Sequence, residues 1–370
     1  MTRMLARAAV LTEFHAPFDL ATIDLGSPGH GQVLVRTLAA PFCSTDWMGW
    51  RAMRRKRPPV ILGHTAVGMV EALGAGVSDL AVGDRVLVAG TPQCRECFYC
   101  QQGRPDQCSV LMDQGDPVIG TMHDGTEVRA AGRVGAYASH MRVDRIQLHP
   151  LPPDLPDAEA SLLGCGISTA FGAIFRIAEV APGQTVAVLG LGHLGLWAVQ
   201  AARLAGAGEV IGIDPHPERR RLALELGADA LVDPSREDAV GAVRARTAGR
   251  GADAVIEAAG SASATRDAVL MTRRAGTAVL TGVAHSDTEV SIPQLHLTVL
   301  GKRVIGCQNG QLTLDRDMPE WIALLREGRI DCSRILTHRY RLDEIDRAAR
   351  QSQTLDDLSG VFVDFSSDRE

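Results

Sequence analysis

Four of the eight cysteines, Cys94, Cys97, Cys100 and Cys108, follow the pattern C-x2-C-x2-C-x7-C. Thiolates at that spacing can enclose one tetrahedral zinc ion, and a closed four-sulfur shell leaves no position for substrate. A disulfide reading fits less well. No N-terminal apolar run with a cleavage site sends the chain to an oxidising compartment. The ladder therefore reads as a structural metal site, with the reaction chemistry elsewhere.

A second motif lies in Gly190-Leu191-Gly192-His193-Leu194-Gly195, a G-x-G-x-x-G string directly after the apolar run Thr185–Leu189. The glycine triplet is weak alone but strong between a strand and a helix. Gly190 permits a tight turn, Gly192 lets backbone approach a pyrophosphate, and Gly195 lets helix and strand pack closely. The helix start then offers free N–H groups to phosphate. Asp214 ends the next apolar run, about twenty residues on, where a carboxylate suits the adenosine ribose hydroxyls and repels a 2′-phosphate. NAD(H) is thus expected over NADP(H), although Arg219, Arg220 and Arg221 stand nearby.

Three further candidate ligands, Cys43, His64 and Cys165, sit in glycine-, proline- or polar-rich strings. Two cysteines and a histidine with a fourth position open would make a catalytic zinc arrangement. Their spacing does not group them, and a lone cysteine is more often a small buried hydrophobe.

The elements that must hold these residues differ along the chain. The first 150 residues read as β-rich, with short runs such as Gln32–Thr37 and Val67–Ala72 bounded by glycine, proline and aspartate. A proline-rich stretch at 150–156 marks a change of architecture, with a helix start at Asp157 or Ser161. From Thr185 strands alternate with helices: Val210–Ile213, Ala230–Val232, Ala254–Glu257 and Thr277–Thr281 as strands, Leu196–Ala205 and Arg219–Leu226 as helices. Such alternation implies a doubly wound parallel sheet. Helices at Met318–Glu327 and Leu342–Ala349 and a last strand at Gly360–Phe365 return to the first domain.

The 370 residues suffice for about two domains. A net charge of −6 argues against a general nucleic-acid binder. No apolar run is long enough to span a membrane, so the cytoplasm is the expected location. The basic run Arg51, Arg54, Arg55, Lys56 and Arg57 reads as a solvated loop, or as an anion contact if it faces a cleft.

With these motifs in this order, the chain resembles a zinc-containing medium-chain alcohol dehydrogenase over nearly its whole length. The matching strings are C-x-T-D at 43–46, G-H at 63–64, V-G-D-R-V at 82–86, the cysteine ladder, L-G-C-G-x-S-T at 163–169 and G-L-G-H-L-G at 190–195. The resemblance implies a GroES-like β-rich catalytic domain (1–166 and 310–370) and a Rossmann coenzyme domain with a doubly wound parallel sheet (167–309). It implies two zincs per chain, the catalytic one on Cys43, His64 and Cys165. It also implies that Thr45 contacts the substrate oxygen, that Asp46 orients His64, and that Val283 joins the coenzyme site. A homodimer or homotetramer, associating through the coenzyme domains, is implied as well.

Three departures from the family stand out. Thr65 replaces the usual glutamate after Gly-His. Trp47, Met48, Gly49 and Trp50 offer no relay histidine. Gly90 precedes T-P-Q-C where some relatives carry a bulky aromatic, which suggests a roomier pocket. The expected reaction is hydride transfer between a bulky or cyclic secondary alcohol and NAD. Two alternatives are a zinc-containing NAD(P)H reductase of conjugated C=C bonds or aldehydes and a non-catalytic NAD-binding structural protein.

Overall fold

The computed structural model describes residues 3–53, 56–352, 354 and 358–366. Arg54 and Arg55 of the basic run lie outside them. The chain forms two compact units. The first comprises 1–165, 313–326 and 336–370, and the second comprises 166–312 and 327–335. The segment 327–335 thus groups with the second unit, inside the stretch 310–370 that the sequence reading places in the first.

The first unit is built on β1 (Leu5–Leu11), β2 (Asp19–Asp24), β3 (Gln32–Pro41), β4 (Val60–Ile61), β5 (Ala66–Leu73), β6 (Arg85–Val88), β7 (Val118–Thr121), β8 (Glu127–Ala130), β9 (His140–Asp144) and β10 (Leu148–Pro150). Strands β1, β2, β7, β8 and β4 close into a barrel. Closure leaves these short strands without free edges.

The second unit carries β11 (Thr185–Leu189), β12 (Glu209–Ile213), β13 (Ala230–Val232), β14 (Ala252–Glu257), β15 (Thr272–Leu280) and β16 (Arg303–Gly306). They form one parallel sheet in the order β13-β12-β11-β14-β15-β16. Strand β11 lies at the centre, and four of its five residues are buried, which explains its unbroken apolar run. The order reverses between β11 and β14, the switch point where open α/β sheets bind ligands.

The chain returns to the first unit with β17 (Leu336–Arg341) and β18 (Ser359–Asp364). They extend the sheet β10-β6-β5-β3-β18-β17, with β9 also paired to β3. The core of this unit joins barrel and sheet residues, among them Val10, Ile23, Val35, Ile61, Tyr137 and Phe362, all fully buried. Among the described residues no single helix is long and apolar enough to cross a membrane.

Candidate metal centre and dinucleotide site

Cys43 follows β3 and is the N-cap of α1 (Ser44–Trp50). Its backbone N–H donates to Asp46 Oδ2 at 3.3 Å, and Asp46 N–H donates back to the Cys43 carbonyl at 3.0 Å. This reciprocal cap fixes the start of the helix. It also turns Asp46, which is only 4% exposed, toward the loop after β4. There Asp46 Oδ1 accepts from Gly63 N–H at 3.0 Å and lies 3.3 Å from His64 Nδ1.

His64 Nε2 is 3.3 Å from Cys165 Sγ. The ligand atoms of Cys43, His64 and Cys165 all lie within 4.8 Å of one another. All three belong to the first unit, with Cys165 its last residue before 166. Two sulfurs and an imidazole nitrogen suit zinc, whose bonds of about 2.3 Å to sulfur and 2.0 Å to nitrogen put tetrahedral neighbours about 3.6 Å apart. Among the described residues no fourth such donor groups with them, so a tetrahedral zinc held there would have one position left for water or substrate.

Burial pulls the His64 imidazole downward. The Asp46 carboxylate and the Cys43 sulfur outweigh burial and hold it up at about 10. A cation on Nε2 competes with that proton.

Glycines frame this imidazole. Gly63 has φ +82°, a conformation that L side chains rarely adopt. A Cβ on Gly132 would stand 2.9 Å from His64 Cβ, and one on Gly90 would overlap the His64 carbonyl oxygen. Gly90 is therefore a close-approach site, and the roomier pocket inferred from it is not what the residue provides. Thr65 is buried, donates to the Val88 carbonyl at 2.8 Å, and fills the space beside Gly164. Trp50 is also structural: its Nε1 donates to the Ala16 carbonyl at 2.7 Å. Thr45 is half-buried in the first turn of α1.

Within the basic run, Lys56 pairs with Asp116 at 2.8 Å, and Asp116 also accepts from Gly132 N–H at 2.9 Å. That pair steadies the glycine lying against His64. Arg51 stacks over Trp47, 5.6 Å from the ring centroid.

In the cysteine ladder the four sulfurs lie within 4.8 Å of one another, and Cys94 and Cys100 Sγ are 3.9 Å apart. That is close to the edge of about 3.8 Å expected for a zinc–thiolate tetrahedron. Backbone N–H groups of Cys100 and Ser109 bring the Cys97 thiol down to about 6. Burial pushes Cys100 up to about 12 and raises Cys108. Such crowded thiols ionise together only around a cation.

In the second unit, α2 (His193–Leu204) begins three residues earlier than its apolar pattern predicts, with Gly192 as N-cap. The first helical turn therefore holds His193, Leu194 and Gly195. Gly190 has φ +92°, and a Cβ there would stand 2.7 Å from Ala259 N. A Cβ on Gly192 meets nothing within 4 Å, whereas one on Gly195 would overlap the Gly190 carbonyl oxygen. Asp214 is 3% exposed. Its Oδ2 accepts from Leu191 N–H and its Oδ1 from His216 N–H, each at 2.8 Å. Each oxygen retains a lone pair. Arg219 Nη1 is 4.0 Å from Asp214 Oδ2. Val283 is exposed, and its backbone passes close to Gly260.

One residue with no motif of its own joins the metal centre. Tyr137, fully buried, donates its hydroxyl to Asp46 Oδ2 at 2.9 Å. No sequence signal links it to an aspartate 91 positions away.

Comparison with known proteins adds a family context. The alcohol dehydrogenase GroES-like domain family matches residues 29–153, and the zinc-binding dehydrogenase family matches residues 194–327. The chain is 32% identical to S-(hydroxymethyl)glutathione dehydrogenase of Synechocystis sp., over 93% of the chain and 96% of that protein. The benzyl alcohol dehydrogenase of Acinetobacter calcoaceticus superposes with a TM-score of 0.90 at 26% identity, over 98% and 99% of the two chains. A zinc-binding dehydrogenase of Sinorhizobium meliloti, solved with NADP, gives a TM-score of 0.80 at 27% identity over 98% and 100%.

Proposed function

Because the chain belongs to the zinc-containing medium-chain alcohol dehydrogenase family, we propose that it transfers hydride between an alcohol and NAD, in either direction. The observation that carries this reading is the convergence of Cys43, His64 and Cys165 into a three-donor set with an open position. An open position is what separates a catalytic zinc from a structural one. A second zinc is assigned to the cysteine ladder, whose four donors leave no such position.

Zinc held there would act as a Lewis acid on the alcohol oxygen, and the bound nicotinamide would serve as hydride acceptor. The residues supply the rest. Thr45 relays the alcohol proton, accepting it at its hydroxyl oxygen while handing its own hydroxyl proton on to water. Asp46 holds the His64 ring by Nδ1 and leaves Nε2 for the metal. Gly192 and the first N–H groups of α2 receive the pyrophosphate. The free lone pairs of Asp214 accept the ribose hydroxyls, which favours NAD over NADP.

The substrate we assign is a bulky or cyclic secondary alcohol or its ketone. Trp47 and Met48, which follow Thr45 on α1, support this, whereas Gly90 and Trp50 do not. Edge strand β16 and the exposed Leu295, Leu297 and Val299 support association of second units into a dimer or tetramer. The cytoplasm, where thiols stay reduced, suits a chain in which no disulfide is seen among the described residues.

The test is a panel of alcohols, ketones and enals with NAD and NADP, followed at the NADH absorbance band. Wild type and Cys43→Ala are compared. Alcohol-dependent NADH formation in wild type only is expected. Equal turnover in the variant overturns the assigned mechanism, and turnover of enals alone moves the reaction to C=C reduction.

A further inference from the structure

We infer that Tyr137 is a positioning residue for the metal centre, acting through Asp46; this rests on the zinc reading of Cys43, His64 and Cys165. Its side chain is 0% exposed, and three contacts lead from it to two ligands.

First, its ring stacks on Phe42, the residue before Cys43, with centroids 5.6 Å apart and planes at 7°. Second, its ring edge occupies the space beside Gly63, the residue before His64. A Cβ on Gly63 would stand 3.0 Å from Tyr137 Cδ1 and Cε1. Third, its hydroxyl donates to Asp46 Oδ2 and lies 3.2 Å from the Pro41 carbonyl oxygen.

Asp46 thereby faces four groups. Gly63 N–H and the His64 ring meet Oδ1, while Cys43 N–H and Tyr137 meet Oδ2. A carboxylate offers about four acceptor positions, so all are in use and the group cannot turn. Removing the hydroxyl leaves Oδ2 with one donor at 3.3 Å and a buried lone pair unmet. The carboxylate can then rotate, and the ring it holds loses its fixed direction. Groups that orient a ligand in this way typically change metal affinity by about 10- to 100-fold when removed.

The experiment uses the full chain loaded with zinc. Release to a colorimetric chelator is followed for wild type, Tyr137→Phe and Phe362→Leu. Cys43→Ala identifies the phase that belongs to the open site. Tyr137→Phe is expected to speed that phase about 10-fold, to leave the cysteine-ladder phase unchanged, and to shift the visible spectrum of the cobalt-substituted enzyme. Phe362 meets Tyr137 edge-on at 5.0 Å, so Phe362→Leu disturbs packing but keeps the hydroxyl. It should retain the wild-type cobalt spectrum. The proposal is overturned if Tyr137→Phe matches wild type in both readouts, or if Phe362→Leu reproduces both changes. A wild type holding a single zinc overturns the zinc reading itself, and the role of Tyr137 with it.

Discussion

Gly195 packs directly beneath Gly190, so closely that a Cβ on Gly195 would overlap the Gly190 carbonyl oxygen. Three residues earlier, Gly192 faces open space. The three glycines of one motif thus have different physical reasons to be glycine.

Gly192→Val should fold with a melting temperature near wild type but raise KM for NAD at least about 10-fold, because its side chain enters the space left for pyrophosphate. Gly195→Val should instead lose stability by about 1–3 kcal/mol through overpacking. Thermal melts and coenzyme titrations distinguish them. A Gly192→Val protein with normal coenzyme affinity would remove the pyrophosphate from this turn.

The two sulfur clusters should separate in metal analysis. Cys43→Ala is expected to keep one zinc and lose turnover, with little change in melting temperature. Cys100→Ala should lose the other zinc and unfold at lower temperature, since structural zinc contributes folding energy directly. Elemental analysis of the purified variants decides the matter. Retention of both zincs in either variant contradicts the assignment.

Asp214→Ser, with Arg219 retained, should move the ratio of kcat/KM for NAD over NADP toward NADP by about 10-fold, or roughly 1.4 kcal/mol. The substitution removes the charge that repels a 2′-phosphate and leaves the Arg219 guanidinium, now 4.0 Å from the carboxylate, free to meet it. An unchanged ratio places coenzyme selection elsewhere.

Lys302 introduces a pH dependence. Burial, reinforced by Arg244, lowers its ammonium from 10.5 to about 8, while its Nζ donates to the carbonyls of Val269 at 2.7 Å and Leu270 at 3.2 Å. Between about 8 and 10.5 the unfolded chain binds the proton that the folded chain has released, so this group's contribution to stability rises with pH there. Below that window both states are protonated and the difference is constant. Denaturant unfolding of wild type and Lys302→Met at pH 7.5 and 10 should show the variant's advantage shrinking as pH rises. A pH-independent difference refutes the shifted lysine.

What was legible in the sequence follows sequence distance. Cys94 to Cys108 and Gly190 to Gly195 are local patterns, and both were readable as they stand. The flanking strand Thr185–Leu189 was equally plain, because both of its faces are buried. Cys43, His64 and Cys165 are scattered, and only likeness to a family joined them before the fold did. Tyr137 and Asp46, or Lys56 and Asp116 at 60 positions' separation, leave no local trace. Gly90 was visible but misread, because a missing side chain does not say whether it leaves room for substrate or for backbone. The barrel strands β7 and β8, four residues each, are too short for a periodic signal.

The glycines around His64 also bear on how such an enzyme can change over generations. Gly63, Gly90 and Gly132 admit no side chain without moving the imidazole or its neighbours, so mutation cannot explore new substrate shapes from that side without risking the metal.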